Sequence, residues 1–323
     1  MDEFSFIQSI QQSYYRQPTL RKGVGDDAAI IRPSGEDIVV AKDMLVEHVH
    51  FIKSTMKPYH IGYKALAANL SDIAAMGATP AYYLVAISIS NDWSNEELAE
   101  IYNGMKSLAD RYKVDLIGGD TVSGTELVIS ITVIGYANRN ISRLRSAAKE
   151  GDVVFVTGTL GDSQAGLHIL QNAGTYKEEE YFKRRHQLPS PRVEFSLGLQ
   201  QINRVALNDI SDGIASEAHE LAESSKVGMV LIEDKIPVHP AYAQFDSNLQ
   251  YNWKLFGGED FELLGTVSRS DWELVKQRAQ QLSLRLTEIG YVTDEKDAGK
   301  LFLQQENGKI IQLEKKGYNH LSR

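Results

Sequence analysis

Cysteine is absent from this chain of 323 residues. Disulfides, thiolate metal sites and a cysteine nucleophile are therefore excluded, and a reducing compartment, the cytoplasm, is the expected location. Proline is scarce, at 8 residues, and no low-complexity stretch is present, which removes the disordered and collagen-like classes. No apolar run is long enough to cross a bilayer. The opening MDEFSFIQSI is acidic and lacks the apolar core and small-residue cleavage site of a secretory signal. Positive charge is also in short supply, since 34 Lys and Arg against 43 Asp and Glu give a formal net charge of −9. Affinity for nucleic acid rests on cations that neutralise phosphates, so nucleic acid is not an expected partner.

What is present is an ordinary globular composition, 42% hydrophobic, in a chain long enough for two domains with separate cores. Phe4, Ile7, Ile10 and Tyr14 are spaced as one face of a short helix. Strands are expected at Ala28 to Ile31 and Ile38 to Ala41. A strong helix signal follows, with Pro58 near its start, Gly77 just past its end, and Leu66, Asn69, Ile73 and Met76 at helical spacing. Tyr82 to Ile89 reads as a buried strand, and Ser94 with Glu97 forms a capping box that opens a helix to about Tyr112. Val114 to Ile117 and Glu126 to Tyr136 read as strands flanking Gly118-Gly119-Asp120. Between Asn138 and Asp152 the chain turns polar and basic, through Arg139, Arg143, Arg145 and Lys149, which marks a domain junction and divides the chain into 1–143 and 144–323. Beyond it, strand and helix patterns alternate from Val153 to a closing hairpin turned at Asn307-Gly308, without strict βαβ regularity. The expected fold class is α+β with mixed sheets in both halves.

Glycine with an acid at a strand boundary recurs along this chain. It appears in Gly25-Asp26-Asp27, Gly119-Asp120, Asp209-Ile210-Ser211-Asp212-Gly213 and Gly258-Glu259-Asp260. Each alone reads equally as a polar turn or a helix cap. Repetition at strand boundaries points instead to an acid-lined cleft for magnesium and phosphates. Asp43 closes a strand-like run, and Asp72 shares a helix face with Asn69 beside an apolar stripe, an arrangement that is costly unless satisfied. His48 and His50 would share a face if extended, which leaves a histidine-centred zinc hydrolase as a rival. Thr157-Gly158-Thr159-Leu160-Gly161-Asp162-Ser163 has the layout of an anion loop but lacks the P-loop lysine, so a tight strand-to-helix connection is the favoured reading.

Taken together and in order, GVGDDAAII, NLSDIAAMGATP, LIGGDTVSG, VTGTLGDSQAGL, NDISDG and FGGEDFEL resemble the thiamine-monophosphate kinase family over nearly the whole chain. That family belongs to a wider ATP-dependent group with aminoimidazole ribonucleotide synthetase, selenophosphate synthetase and a hydrogenase maturation protein. The resemblance implies an N-terminal α/β domain that pairs its sheet across a homodimer, and an α+β C-terminal domain that completes the active-site cleft. It implies magnesium ligands at Asp27, Asp43, Asp72, Asp120, Asp209 and Asp212. It places nucleotide contacts at Tyr102, Gly119, Asp120, Arg145 and Ser211, and contacts to the thiamine phosphate at His50, Glu259 and Tyr318. Asp72, Asp120 and Arg145 are the residues it implicates most directly in catalysis. The chain departs from the family at Lys42 and Ala41, where hydroxyl side chains are usual, and at Glu150, where proline is common. Without cysteine, the selenophosphate synthetase and hydrogenase maturation activities are implausible.

The implied reaction is ATP plus thiamine monophosphate giving ADP and thiamine diphosphate. Its acceptor is already ionised near neutral pH, so charge neutralisation rather than a strong base is the chief requirement. An aminoimidazole ribonucleotide synthetase-like enzyme and a non-catalytic magnesium-nucleotide-binding subunit are the alternatives.

Overall fold

The computed structural model describes residues 20–22, 29–32 and 35–317. The helical segment expected from Phe4 to Tyr15, the motif around Asp27, and Tyr318 lie outside the described residues.

Two mixed sheets organise the chain. The first contains β1 (Leu20–Lys22), β2 (Ala29–Ile31), β3 (Asp37–Val46), β4 (Thr79–Ile89), β5 (Asp115–Ser123) and β6 (Val128–Ala137), in the order β1-β2-β3-β6-β4-β5. Its pairs are antiparallel except β4 with β5. Alternate residues such as Val39, Ala41, Leu45, Val85 and Ile131 point to one face and form a core with two helices, α1 (Pro58–Ala75) and α2 (Asn95–Tyr112). The second sheet contains β7 (Val153–Thr157), β8 (Val205–Asp209), β9 (Gly228–Ile232), β10 (Leu263–Val267), β11 (Leu286–Thr293), β12 (Leu301–Gln304) and β13 (Ile310–Leu313). Their order is β13-β12-β9-β11-β7-β10-β8, with only β9 and β12 parallel. Every residue of β7 is buried, because helices cover both faces of this sheet. Val154 and Val156 face α6 (Ile214–Ser225), whereas Val153 and Phe155 face α5 (Val193–Gly198) and α8 (Trp272–Gln281).

Helix α1 positions the site. It is apolar on nearly every side, and Ile61, Leu66, Leu70 and Ile73 are fully buried, each stabilising the fold by roughly 1.5–3 kcal/mol. It packs on β3 and β6 of the first sheet and also against α5 and β8 of the second half. A Cβ at Gly62 would run into the Ile101 carbonyl oxygen and one at Gly104 into that of Tyr59, so α1 and α2 touch through their backbones. As expected, α2 opens on a capping box, with Ser94 Oγ accepting from Glu97 N–H. Three further helices flank the space between the sheets: α3 (Asp162–Gln171), α4 (Glu179–Gln187) and α7 (Ser247–Phe256).

Two local expectations need correction. Strand β3 does not end at Asp43 but pairs with β6 as far as Val46 with Val128, so Asp43 lies inside a strand. Gly118-Gly119-Asp120 is likewise within β5 rather than between strands. Glycine at 119 is required there, because a Cβ would collide with the Val85 carbonyl oxygen of β4. Among the described residues, no helix is long and apolar enough to cross a membrane.

Candidate active site

A cavity of about 630 Å³ opens between the two halves. Asp43 and His50 reach it from the first half, and Ser211, Asp212 and Glu259 from the second. Val49, Leu167, Trp253 and Phe256 supply an apolar wall.

The carboxylates on one side of this cavity are tightly oriented. Asp43 sits where its backbone N–H donates to Asn69 Oδ1 at 3.0 Å, while Asn69 Nδ2 donates to the Ala65 carbonyl at 3.0 Å. Asp209 ends β8 and is only 3% exposed. Burial pushes its carboxyl up to about 7; Asp43 and Asp212 add to that push, while the Ser71 hydroxyl and Arg145 oppose it. Burial raises Asp43 as well. The backbone N–H of Asp212 donates to Glu217 Oε1 at 3.1 Å, and Glu217 Oε2 accepts from Asn208 Nδ2 at 2.7 Å. Asn208 Oδ1 in turn accepts from Arg145 Nε at 3.1 Å, and Arg145 Nη1 pairs with Glu220 at 2.7 Å. The helix cap at α6 is Gly213, with no side-chain bond, so capping does not account for Asp212.

These groups fit magnesium by donor chemistry, since hard carboxylate oxygens suit a hard cation, and a cation would offset the burial and the lesser repulsion from Asp43 and Asp212 that raise Asp209. Among the described residues no cluster of three or more His, Asp or Glu forms a ready-made cage. The zinc reading finds no support. His48 adopts a left-handed backbone at φ 65°, and His50 Nδ1 accepts from Val46 N–H at 3.0 Å, so the two do not present an extended pair.

Glu259 lies on the loop between α7 and β10, where it and Phe261 adopt left-handed conformations at φ 66° and 49°. Such residues cost on the order of 1–3 kcal/mol each and persist only when surroundings enforce them. Here Glu259 N–H donates to the Ser211 carbonyl at 2.7 Å, and Phe261 N–H to that of Ile210 at 2.9 Å. Asp260 accepts from Gly161 and Ser163 N–H at 2.7 and 3.1 Å. Arg185 and Arg192 grip the buried Glu262 at 2.7 and 2.6 Å. Asp260 thereby fills the N-terminus of α3, and the glycine loop before it is the tight connection expected rather than an anion cradle.

Some residues singled out in the sequence stand elsewhere. Asp72 is half-buried on α1, beside Ser71. Tyr102 is half-buried on α2 against the first core. Gly119 and Asp120 lie on β5, an exposed edge strand, and do not line the cavity. The register pairs Asp120 with Ala86, Ala86 with Ser130, and Ser130 with Met44, so Asp120 points to the sheet face opposite Asp43. Lys42 shares that outer face, donating to Ser130 Oγ at 2.6 Å. Lys64 and His186 escaped the sequence reading, although both adjoin Glu259, with Lys64 Nζ at 2.7 Å and His186 Nδ1 at 3.6 Å from its Oε2. The available signal was that Lys64 is the only Lys, Arg, Asp or Glu from Pro58 to Ser71.

Comparison with known proteins agrees with this architecture. Residues 25–137 match the AIR synthase related protein N-terminal domain, and residues 149–300 match the corresponding C-terminal domain. The thiamine-monophosphate kinase of Bacillus subtilis (strain 168) is 46% identical over 328 residues, covering 99% of each chain. A solved structure of AaThiL complexed with AMPPCP and TMP superposes with a TM-score of 0.84 at 30% identity, over 99% of this chain and 97% of that one. Thiamine-monophosphate kinase from Stenotrophomonas maltophilia K279a gives a TM-score of 0.77 at 32% identity, covering 95% and 97%. With both halves matched and identity sustained from end to end, the chain belongs to the thiamine-monophosphate kinase family of AIR synthase related proteins.

Proposed function

We propose that this chain transfers the γ-phosphoryl group of ATP to thiamine monophosphate, directly and in line, giving ADP and thiamine diphosphate. The observation that carries the reading is the convergence of Asp43, Asp209, Asp212 and Arg145 beside a cavity that also presents His50 and Glu259. Relatives bearing this name and the AaThiL complex with AMPPCP and TMP support it. An acceptor phosphate oxygen attacks the γ-phosphorus as the bond to the β-bridging oxygen breaks, and no phosphoenzyme is required.

Asp43, Asp209 and Asp212, with Asp27, Asp72 and Asp120, are the proposed holders of several magnesium ions. Bound magnesium would neutralise the facing phosphates and align them. Arg145, oriented by Asn208 and Glu220, adds a forked cation suited to phosphate oxygens. Ser211 and Arg145 are the proposed nucleotide contacts within one chain. Tyr102, Gly119 and Asp120 are proposed to complete them where a second copy covers the edge of β5, which exposes Leu116, Ile117 and Val122. His50 and Glu259, with Tyr318, are proposed to hold the thiamine phosphate. We place the two working units at 1–143 and 144–323, supported by the passage of the chain from the first sheet at Ala137 to the second at Val153. The cytoplasm is the proposed location, supported by the lack of cysteine.

The test is an acceptor screen with ATP and magnesium. Thiamine diphosphate and ADP should form in equal amounts from thiamine monophosphate. ATP binding without ADP release would indicate a binding subunit instead, and turnover restricted to a ribonucleotide precursor of aminoimidazole would indicate the synthetase.

A further inference from the structure

Lys64 stands on α1 with only 1% of its surface exposed, next to Glu259 at 2.7 Å. Among the described residues its Nζ meets the Glu259 carboxylate as an ion pair. Taking an ammonium out of water costs several kcal/mol, of order, and a hydrophobic residue of similar volume would fill the same space without that cost. Burial accordingly pulls Lys64 below its ordinary value, with Glu259 opposing. A lysine kept here for packing alone is therefore a poor choice. Its effect on Glu259 is the opposite: burial pushes that carboxyl up, and Lys64, the foremost opposing neighbour, together with His186 and His50 leaves it below the usual range.

The second neighbour of Glu259 does not duplicate this charge. His186 on α4 is buried, with Nδ1 at 3.1 Å from Ser163 Oγ and 3.6 Å from Glu259 Oε2. Burial takes its imidazole down to about 3, so it is neutral at physiological pH. Lys64 and His186 both meet Oε2, while the residue as a whole lines the cavity. One carboxylate oxygen, Oε2, is thus committed to the protein.

We propose that Lys64 is a positioning residue for the acceptor, fixing Glu259 as a carboxylate in one orientation so that Oε1 meets the cationic, amine-bearing thiamine portion of the substrate. This deepens the proposed kinase reading and rests on it. Lys64 touches no reacting atom in this scheme. Its influence reaches the acceptor only through Glu259.

The test is steady-state kinetics on the full chain with ATP, magnesium and thiamine monophosphate, using Lys64→Met, Lys64→Arg, Glu259→Gln and the double variant Lys64→Met/Glu259→Gln. Lys64→Met should raise KM for thiamine monophosphate by about tenfold or more while KM for ATP changes by less than about twofold, and Lys64→Arg should recover part of the loss. The double variant should have the same acceptor KM as Glu259→Gln alone, because its lysine effect has no carboxylate to act through. A folded Lys64→Met with an unchanged acceptor KM, or a double variant clearly worse than Glu259→Gln, overturns the inference. Should Lys64→Met fail to fold with its buried carboxylate unpaired, the double variant has no such charge and decides the matter alone. Failure of the kinase reading is distinct, since it shows as no thiamine diphosphate from the unaltered chain.

Discussion

Two acidic regions of this molecule are built on contrasting principles. Around the cavity, Asp209 is buried and Asp43 half-buried, and each is fixed by neighbours: Asn69 for Asp43, Ser71 and Arg145 for Asp209, Glu217 for Asp212. On β5, Gly119 and Asp120 lie on a strand exposed along its entire length, where the Thr121 N–H donates to Asp120 Oδ1 at 2.9 Å. The first region is preorganised within a single chain and stores electrostatic repulsion, which is the condition under which a cation binds with most effect. The second presents, among the described residues, a strand edge without a neighbour and apolar side chains, the kind of surface that another chain can cover. Under the proposed function, a site drawing on both regions would couple catalysis to assembly.

The largest expected effect lies in the preorganised region. Asp209→Asn should lower kcat by roughly a hundredfold or more, about 3 kcal/mol, while the melting temperature holds or rises because a repelled buried carboxylate is removed. Steady-state ADP release beside thermal melting checks it, and a variant with near-normal turnover would sink the carboxylate-cluster assignment. A smaller effect should follow at the edge strand. Ile117→Lys should shift the chain toward monomer and reduce activity per chain by about tenfold at concentrations where monomer predominates. Light scattering and activity over a concentration series would read both, and unchanged values would remove β5 from the assembly.

The smallest effect sharpens the buried side alone. His186 in the folded chain sits near 3, well below its ordinary value of 6.5. Between those values the unfolded chain binds a proton that the folded chain refuses, so this group makes stability rise with pH across that window and fall on acidification. His186→Gln should flatten the slope of urea-derived stability between about pH 4.5 and 6.5 by on the order of 1 kcal/mol per pH unit. Parallel curves for variant and parent would show that the imidazole is not held neutral.

Much of the fold was legible because local chemistry and tertiary demand agree. Pro58 and Gly77 bracket α1, Ser94 and Glu97 cap α2, and Asn307-Gly308 turns the last hairpin. Legibility failed where a long-range partner overrode a local signal. Gly118-Gly119 reads as a turn, yet pairing with β4 holds it extended, and the glycine serves close approach to Val85. Asp43 reads as a strand end because its charge interrupts the apolar alternation, yet β6 carries the ladder past it. Lys64 and His186 were passed over because charge on a helix is usually solvated. Their burial depends on α1 being enclosed by both halves of the chain, which its one-dimensional pattern does not state.

By itself the sequence determined which chemistry was available: oxygen ligands and no thiols, a deficit of positive charge, and glycine-acid motifs in a family-specific order. Periodicity, caps and turns are local, and so they could be read along the chain. Tertiary structure alone decided which acids meet. It set Asp209 beside Asp43 across 165 intervening residues, and put Asp120 on the opposite face of the first sheet. It also decided that Lys64 belongs to Glu259. Burial and charge proximity are properties of enclosure, and enclosure exists only once both sheets have closed on the same helix.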